Sequence, residues 1–323
     1  MNKQFNFIKA TCCAVICVFV LSGCSGNHTT EEKQTFLENE KTEEMETEIN
    51  IDLTEADTKQ FFEDNLSEQE IIEADWSEYF NGLNGAAVLY NASDMQYTIF
   101  NSELALTQSA PCSTFKIISS LIALEHGIIH PEDSTRIWSG EVFWNEKWNR
   151  DIDFRDAFRD SCVWYFRQII DDIGQEVMQE ELSGLQYGNC DISDWSGQLN
   201  TNNNNPALTG FWIESSLAIS PKEQTEVMER IFGTDTAYSE ATQKELRQVM
   251  FVAEQNYPDI SIYGKTGMGR SNGIIDAWFT GFAEHTKGRV YFCVYLGKTD
   301  DERISSTVAK EIAIRIVSDY FKN

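Results

Sequence analysis

Apolar positions gather in short, strand-length runs at the two ends of the chain's main body. Gly85-Ala86-Ala87-Val88-Leu89-Tyr90 and Tyr97-Thr98-Ile99-Phe100, with a polar stretch between them, predict an opening hairpin. Ile274 to Phe282 and Val290 to Leu296 predict a second strand pair, and Val308 to Phe321 a closing helix. From Phe115 to about Val252 the pattern is mainly helical. Strands at both ends with helices between them predict an α/β (α+β) fold. Its parts are an antiparallel sheet flanked by N- and C-terminal helices and an inserted all-helical lobe, with a crevice where lobe and sheet meet. Asn202-Asn203-Asn204-Asn205-Pro206 is a loop by composition, and its place before Trp212 suits it to shaping access to that crevice.

The polar and charged residues divide the chain into three parts. Residues 1–23 carry lysines at 3 and 9, then an apolar run from Ala10 to Val20, too short for a stable membrane span, and read as a secretory signal. Leu21-Ser22-Gly23-Cys24 resembles the bacterial lipobox, which implies lipidation of Cys24 and attachment to a membrane outside the cytoplasm. Ser25 to Glu73 holds 16 acidic residues against three lysines and no arginine. Residues 24–73 are therefore expected to be a mostly disordered tether, reaching roughly 35–42 Å as a flexible chain. Phe61, Phe62, Leu66, Ile71 and Ile72 suggest an amphipathic helix in its last part. Residues 74–323 are long enough for one large core and remain acidic, so a nucleic-acid partner is not expected.

Chemistry enters at Ser113-Thr114-Phe115-Lys116. Positions i and i+3 share a helix face, so the lysine amine can reach the serine hydroxyl and take its proton. The apolar run that follows marks a buried helix, whose free N-terminal amides would point at whatever the serine attacks. Further along, Lys265-Thr266-Gly267 ends a strand-like run; lysine and threonine there can hold a carboxylate, and glycine admits close backbone approach. A phosphate loop is excluded, because Asp259 and Phe292 stand where Gly264-Lys265-Thr266 and Gly297-Lys298-Thr299 would each need the first glycine. Between the two motifs lies Asp160-Ser161-Cys162-Val163-Trp164-Tyr165-Phe166. Trp164 and Phe166 read as core.

S-x-x-K, S-x-V and K-T-G in this order resemble the serine active site of β-lactamases and penicillin-binding proteins. The closer likeness is to class D, the oxacillinase-type β-lactamases. It is carried also by Asp75-Trp76-Ser77-Glu78-Tyr79-Phe80, Tyr187-Gly188-Asn189, Phe211-Trp212-Ile213-Glu214 with Leu217-Ala218-Ile219-Ser220-Pro221, and Ala277-Trp278-Phe279-Thr280-Gly281-Phe282. It runs from about Trp76 to the C-terminus.

The resemblance implies that a β-lactam is the small-molecule substrate and that Ser113 forms an acyl-enzyme. The backbone amides of Ser113 and Met268 would form the oxyanion hole. Lys116 would be carboxylated by carbon dioxide and serve as general base, in a pocket lined by Phe115 and Val163 and closed by the Trp212 indole N–H. Ser161 would relay a proton to the departing nitrogen. Lys265, Thr266 and Gly267 would meet the substrate, and no other cofactor is implied. Class D enzymes usually add an arginine for the substrate carboxylate; the corresponding position here is Ser305, leaving Arg303 and Arg270 as substitutes.

Two neighbouring readings share these motifs. The sensor domains of β-lactam receptors acylate and stall, and commonly carry asparagine where this chain has Val163. Penicillin-binding transpeptidases usually end the middle motif in asparagine as well. A metal site is not expected: the four histidines (His28, His126, His130, His285) form no H-x-H-x-D cluster, and His126 and His130 straddle a helix end. Cys112 and Cys162 adjoin two motif serines, so a bridge between them is conceivable, with buried thiols the default. Oligomeric state leaves no signal in the sequence.

Overall fold

The structure is a computed structural model and describes residues 70–199, 204–252, 259–271 and 273–322. The signal-like segment, Cys24 and nearly all of the expected tether lie outside the described residues.

Six strands form one sheet: β1 (Glu70–Glu73), β2 (Gly85–Asn91), β3 (Gln96–Phe100), β4 (Ser261–Ser271), β5 (Ile274–His285) and β6 (Gly288–Thr299). Their order is β1-β3-β2-β6-β5-β4, antiparallel throughout except that β1 runs parallel to β3. The two hairpins are those the apolar runs predict. Ile71 and Ile72 depart from expectation: they lie in the exposed edge strand β1, not in a helix. Phe61, Phe62 and Leu66, the rest of that expected helix, lie outside the described residues; the open edge of β3 offers Glu70 to Glu73 a complete ladder.

Period-two alternation puts apolar side chains on both faces of the sheet. On β6, Tyr291, Cys293 and Tyr295 join the core of the helical lobe, while Phe292, Val294 and Leu296 join a second core. That second core is covered by a long C-terminal helix, Ser306–Lys322, through Ile312, Ala313, Ile316 and Val317. A short helix, α1 (Ser77–Phe80), packs with the C-terminal helix on the second core through Phe80. The lobe contains α2 (Ser102–Ala105) near its base, then α3 (Lys116–Glu125), α4 (Phe154–Arg159), α5 (Val163–Ile173), α6 (Gln175–Leu185), α7 (Pro221–Phe232) and α8 (Glu240–Met250); the C-terminal helix is α9. Ser220 and Glu223 form a reciprocal capping box at the start of α7, with Pro221 at its first position. The Leu217 to Pro221 run is thus a helix start. His126 caps the end of α3 and hydrogen-bonds Glu181 at 2.7 Å, as a surface histidine.

Candidate active site

A tight 3₁₀ turn, Cys112–Phe115, feeds directly into α3 and carries Ser113 at the edge of the sheet. Strand β4 presses against this turn. A Cβ on Gly267 would sit 2.9 Å from the Pro111 carbonyl oxygen and 2.9 Å from Thr114 Cγ2. The glycine of K-T-G is therefore required by packing against the nucleophile's own turn. That constraint is invisible in a sequence reading, which assigns the glycine to substrate approach.

Lys116 is buried, 1% exposed, and its Nζ lies 2.9 Å from Ser113 Oγ. Its surroundings are apolar: Phe115 is buried beside it, and the Phe166 ring centroid is 5.4 Å from Nζ. Burial disfavours the ammonium and lowers the Lys116 pKa to about 8. Lys265, also buried, reaches Ser161 Oγ at 3.1 Å and the Thr266 carbonyl at 3.0 Å. Its pKa is driven well down, first by burial and then by the nearby Lys116 charge. Ser113 is thus paired with one buried lysine and Ser161 with another, and the two lysines lie near enough for the Lys116 charge to act on Lys265.

Ser161 occupies a strained position. Helix α4 ends in a turn closed by Cys162 N–H to the Ala157 carbonyl at 2.8 Å, and Ser161 is its left-handed residue, with φ +54°. Glycine is the usual occupant of that place, and a side chain costs about 1 kcal/mol. Ser161→Gly is therefore expected to melt no lower than the parent, which thermal unfolding checks.

A cleft of about 350 Å³ holds Ser113, Val163 and Met268, with Asn204 and Asn205 on its wall. These two asparagines belong to the loop expected to shape access. Phe143, Trp148, Leu208 and Ile213 contribute further apolar surface, with the strongly exposed Val142 and Trp144 at the margin. No periodicity marks residues 142–148, so sequence reasoning missed them; the density of aromatic residues in Phe143-Trp144-Asn145-Glu146-Lys147-Trp148 is the only available signal. Trp212 is buried with its ring stacked on Phe115, centroids 6.1 Å apart, and its carbonyl accepts from Cys112 N–H at 2.9 Å. Trp164 is core as expected, and Phe166 is both core and a wall of the lysine pocket.

The description "Penicillin binding protein transpeptidase domain" fits residues 83–318, which span all three motifs. The chain belongs to the penicillin-binding protein transpeptidase family. Within the superfamily that this family shares with serine β-lactamases, it is 32% identical to the "Probable beta-lactamase YbxI" of Bacillus subtilis, over 75% of this chain and 82% of that protein. It is 32% identical to β-lactamase OXA-1 of Escherichia coli, over 75% of this chain and 87% of that one. It is 31% identical to the regulatory protein BlaR1 of Bacillus licheniformis, over 75% of this chain, and spans only 38% of that protein's length. Among solved structures, the C-terminal domain of the Bacillus licheniformis BlaR penicillin-receptor superposes with a TM-score of 0.69 at 29% identity, covering 79% of this chain and 98% of that domain. A class D β-lactamase from Bacillus subtilis superposes with a TM-score of 0.65 at 29% identity, covering 76% and 95%.

Not every residue singled out in the sequence meets the others in this transpeptidase-family site. Arg270 forms a two-pronged pair with Glu302 at 2.8 and 2.7 Å, and Arg303 pairs with Asp301 two residues before it. Neither lines the cleft that holds Ser113. Each has a carboxylate close in the chain or across a short loop, and an exposed guanidinium takes the partner at hand. Cys112 and Cys162 are both buried free thiols, so the bridge between them is not formed. Among the described residues no group of histidine, cysteine and carboxylate side chains could hold a metal ion.

Proposed function

We propose that this chain is a class D serine β-lactamase. The observation that carries the reading is the buried Lys116 amine, 2.9 Å from Ser113 Oγ, with a pKa lowered to about 8. Ser113 Oγ attacks the lactam carbonyl as Lys116 takes its proton. The oxygen that gains charge is received by the Ser113 and Met268 amides. The C–N bond then breaks, and the nitrogen takes a proton through Ser161 Oγ, which Lys265 orients. Thr266 and Lys265 meet the substrate carboxylate. Water, deprotonated at residue 116, attacks the ester and releases Ser113.

Carbon dioxide adds to a lysine only as the free amine, and burial beside the Phe166 ring suits such an amine. Carboxylation would give residue 116 an oxygen base, with Trp212 and Val163 among the residues placed to hold it. The motif at Leu21 to Cys24 supports an anchor at lipidated Cys24, with the catalytic part outside the cytoplasm. Among the described residues, no helix is long and apolar enough to cross a membrane.

A second reading, a β-lactam sensor that acylates without turnover, is favoured by the likeness to BlaR1 and to its C-terminal domain. Val163 argues for turnover, since an apolar residue beside the base does not compete with it for hydrogen bonds. Turnover of a chromogenic cephalosporin and of benzylpenicillin, with and without bicarbonate, separates the two. Sustained hydrolysis that bicarbonate enhances is expected; a stoichiometric burst followed by silence would establish the sensor. Val163→Asn is expected to keep acylation within about threefold and slow deacylation more than tenfold, converting steady turnover into a burst. Burst stoichiometry at several substrate concentrations checks it.

A further inference from the structure

Beside the nucleophile's turn lies a polar chain that the reaction does not use. The Tyr295 hydroxyl donates to Asp276 Oδ1, and Ser109 Oγ lies 3.3 Å from the same hydroxyl. Because the single tyrosine proton is committed to the carboxylate, Ser109 is the donor to Tyr295, and the chain has one direction: Ser109 to Tyr295 to Asp276. Next to it, the Trp278 indole N–H donates to the Ala110 carbonyl at 3.1 Å, and the Trp278 and Tyr295 rings pack with centroids 4.3 Å apart. Ser109 is also held through its backbone by a reciprocal bridge to Ile219, both bonds 3.0 Å.

These contacts grip the residues immediately before a strained bend. Cys112 is left-handed, with φ +51°, and the turn carrying Ser113 begins there. Side chains disfavour this conformation, so the bend persists only where its surroundings over-determine it. Thr114 fastens the far side, its hydroxyl donating to the Pro111 carbonyl at 2.7 Å. Strand β4 packs on the turn itself; Asp276 on β5 and Tyr295 on β6 reach the segment that leads into it through Ser109.

We propose that Asp276 and Tyr295 are positioning residues for Ser113, acting through Ser109 to hold the left-handed Cys112 turn in the geometry that keeps the serine against Lys116. The sequence offers no hint of this pair: Asp276 breaks an apolar strand, and Tyr295 is one aromatic among many. Burial raises the Asp276 pKa, and the Tyr295 hydrogen bond works in the opposite direction. The carboxylate is thus partly sheltered and gains from a committed donor.

The inference rests on the acylation chemistry proposed above, so the experiment has two arms on the full-length protein. One measures the second-order rate of Ser113 labelling by a fluorescent penicillin; the other follows amide hydrogen exchange across residues 109–116, which needs no substrate. Tyr295→Phe keeps the ring on Trp278 and removes only the hydroxyl. It is expected to slow labelling about tenfold and speed exchange at 109–116, while exchange in the rest of β5 and β6 stays as in the parent. Asp276→Leu is expected to follow it, whereas Asp276→Asn, which keeps an acceptor for Tyr295, is expected to label within threefold of the parent. Parent-like exchange at 109–116 in both Tyr295→Phe and Asp276→Leu would overturn the proposal, as would faster exchange spread evenly over the sheet. Absence of labelling in the parent itself would count against the acylation chemistry, and the exchange arm would still decide the role of the pair.

Discussion

Ser113→Ala is expected to abolish covalent labelling by penicillins and to leave no measurable turnover. Among the described residues, no second activated nucleophile stands beside Ser113. Cys112 is the neighbouring candidate, but burial drives its thiol pKa well up and keeps it uncharged. Ser161 Oγ is engaged by the Lys265 amine at 3.1 Å. The substitution removes one small, partly exposed oxygen at the mouth of a preformed turn, so the fold is expected to survive. Intact-protein mass spectrometry after incubation with benzylpenicillin reads the outcome directly: the parent gains the mass of the acyl group and the variant gains none. Labelling of the variant would place the nucleophile elsewhere.

Lys116→Met is expected to lower acylation by about 10³- to 10⁴-fold while making the protein more stable. Both effects come from one fact, the burial of an amine among aromatic rings. Methionine nearly matches the lysine in volume and places no charge in that pocket. In the folded parent, burial holds the Lys116 pKa at about 8, below the ordinary lysine value of 10.5. A lysine with a depressed folded pKa destabilises the fold in full below pH 8, where it is protonated in both states. The penalty is relieved as pH rises from 8 towards 10.5, where the unfolded chain still binds the proton and the folded one has released it. The shift corresponds to a penalty on the order of 3 kcal/mol. The stability advantage of Lys116→Met should therefore be largest below pH 8 and fade above it, as urea titrations at pH 6.5 and 9.5 would show. Acylation by the parent at low bicarbonate should rise about tenfold per pH unit up to 8 and then level, following the free amine. A flat profile across that range would mean the amine is not the base that counts.

The motif residues themselves were legible from the chain alone, because each carries a reactive group at a spacing that random sequence seldom repeats. Ser113 and Lys116 share a helix start as i and i+3 require, and Lys265 bridges Ser161 and Thr266. The sheet and its two hairpins were legible from alternation. What escaped was of a different kind. Val142 and Trp144 flank the cleft from a segment with no period to betray it. Gly267 serves packing against Pro111 and Thr114, which only three-dimensional proximity reveals. Asp276 and Tyr295 lie on adjacent strands but join only through register, Asp276 facing Gly297 across the β5–β6 ladder and Tyr295 two residues earlier. Ile71 and Ile72 read with Phe61, Phe62 and Leu66 as one helical stripe, and the open edge of β3 takes the two isoleucines into a strand instead.

The order of the strands has a mechanical consequence. The chain enters the sheet at β1, one edge, and the chemistry is built against β4, the other. Five inter-strand gaps of roughly 4.8 Å set those edges about 24 Å apart. If the acidic segment before Glu70 is a leash fixed to a surface, it holds the molecule by the side remote from its mouth. Tension or crowding at the leash would then load β1 and β3 first, leaving the reactive edge unstrained and open to whatever diffuses past.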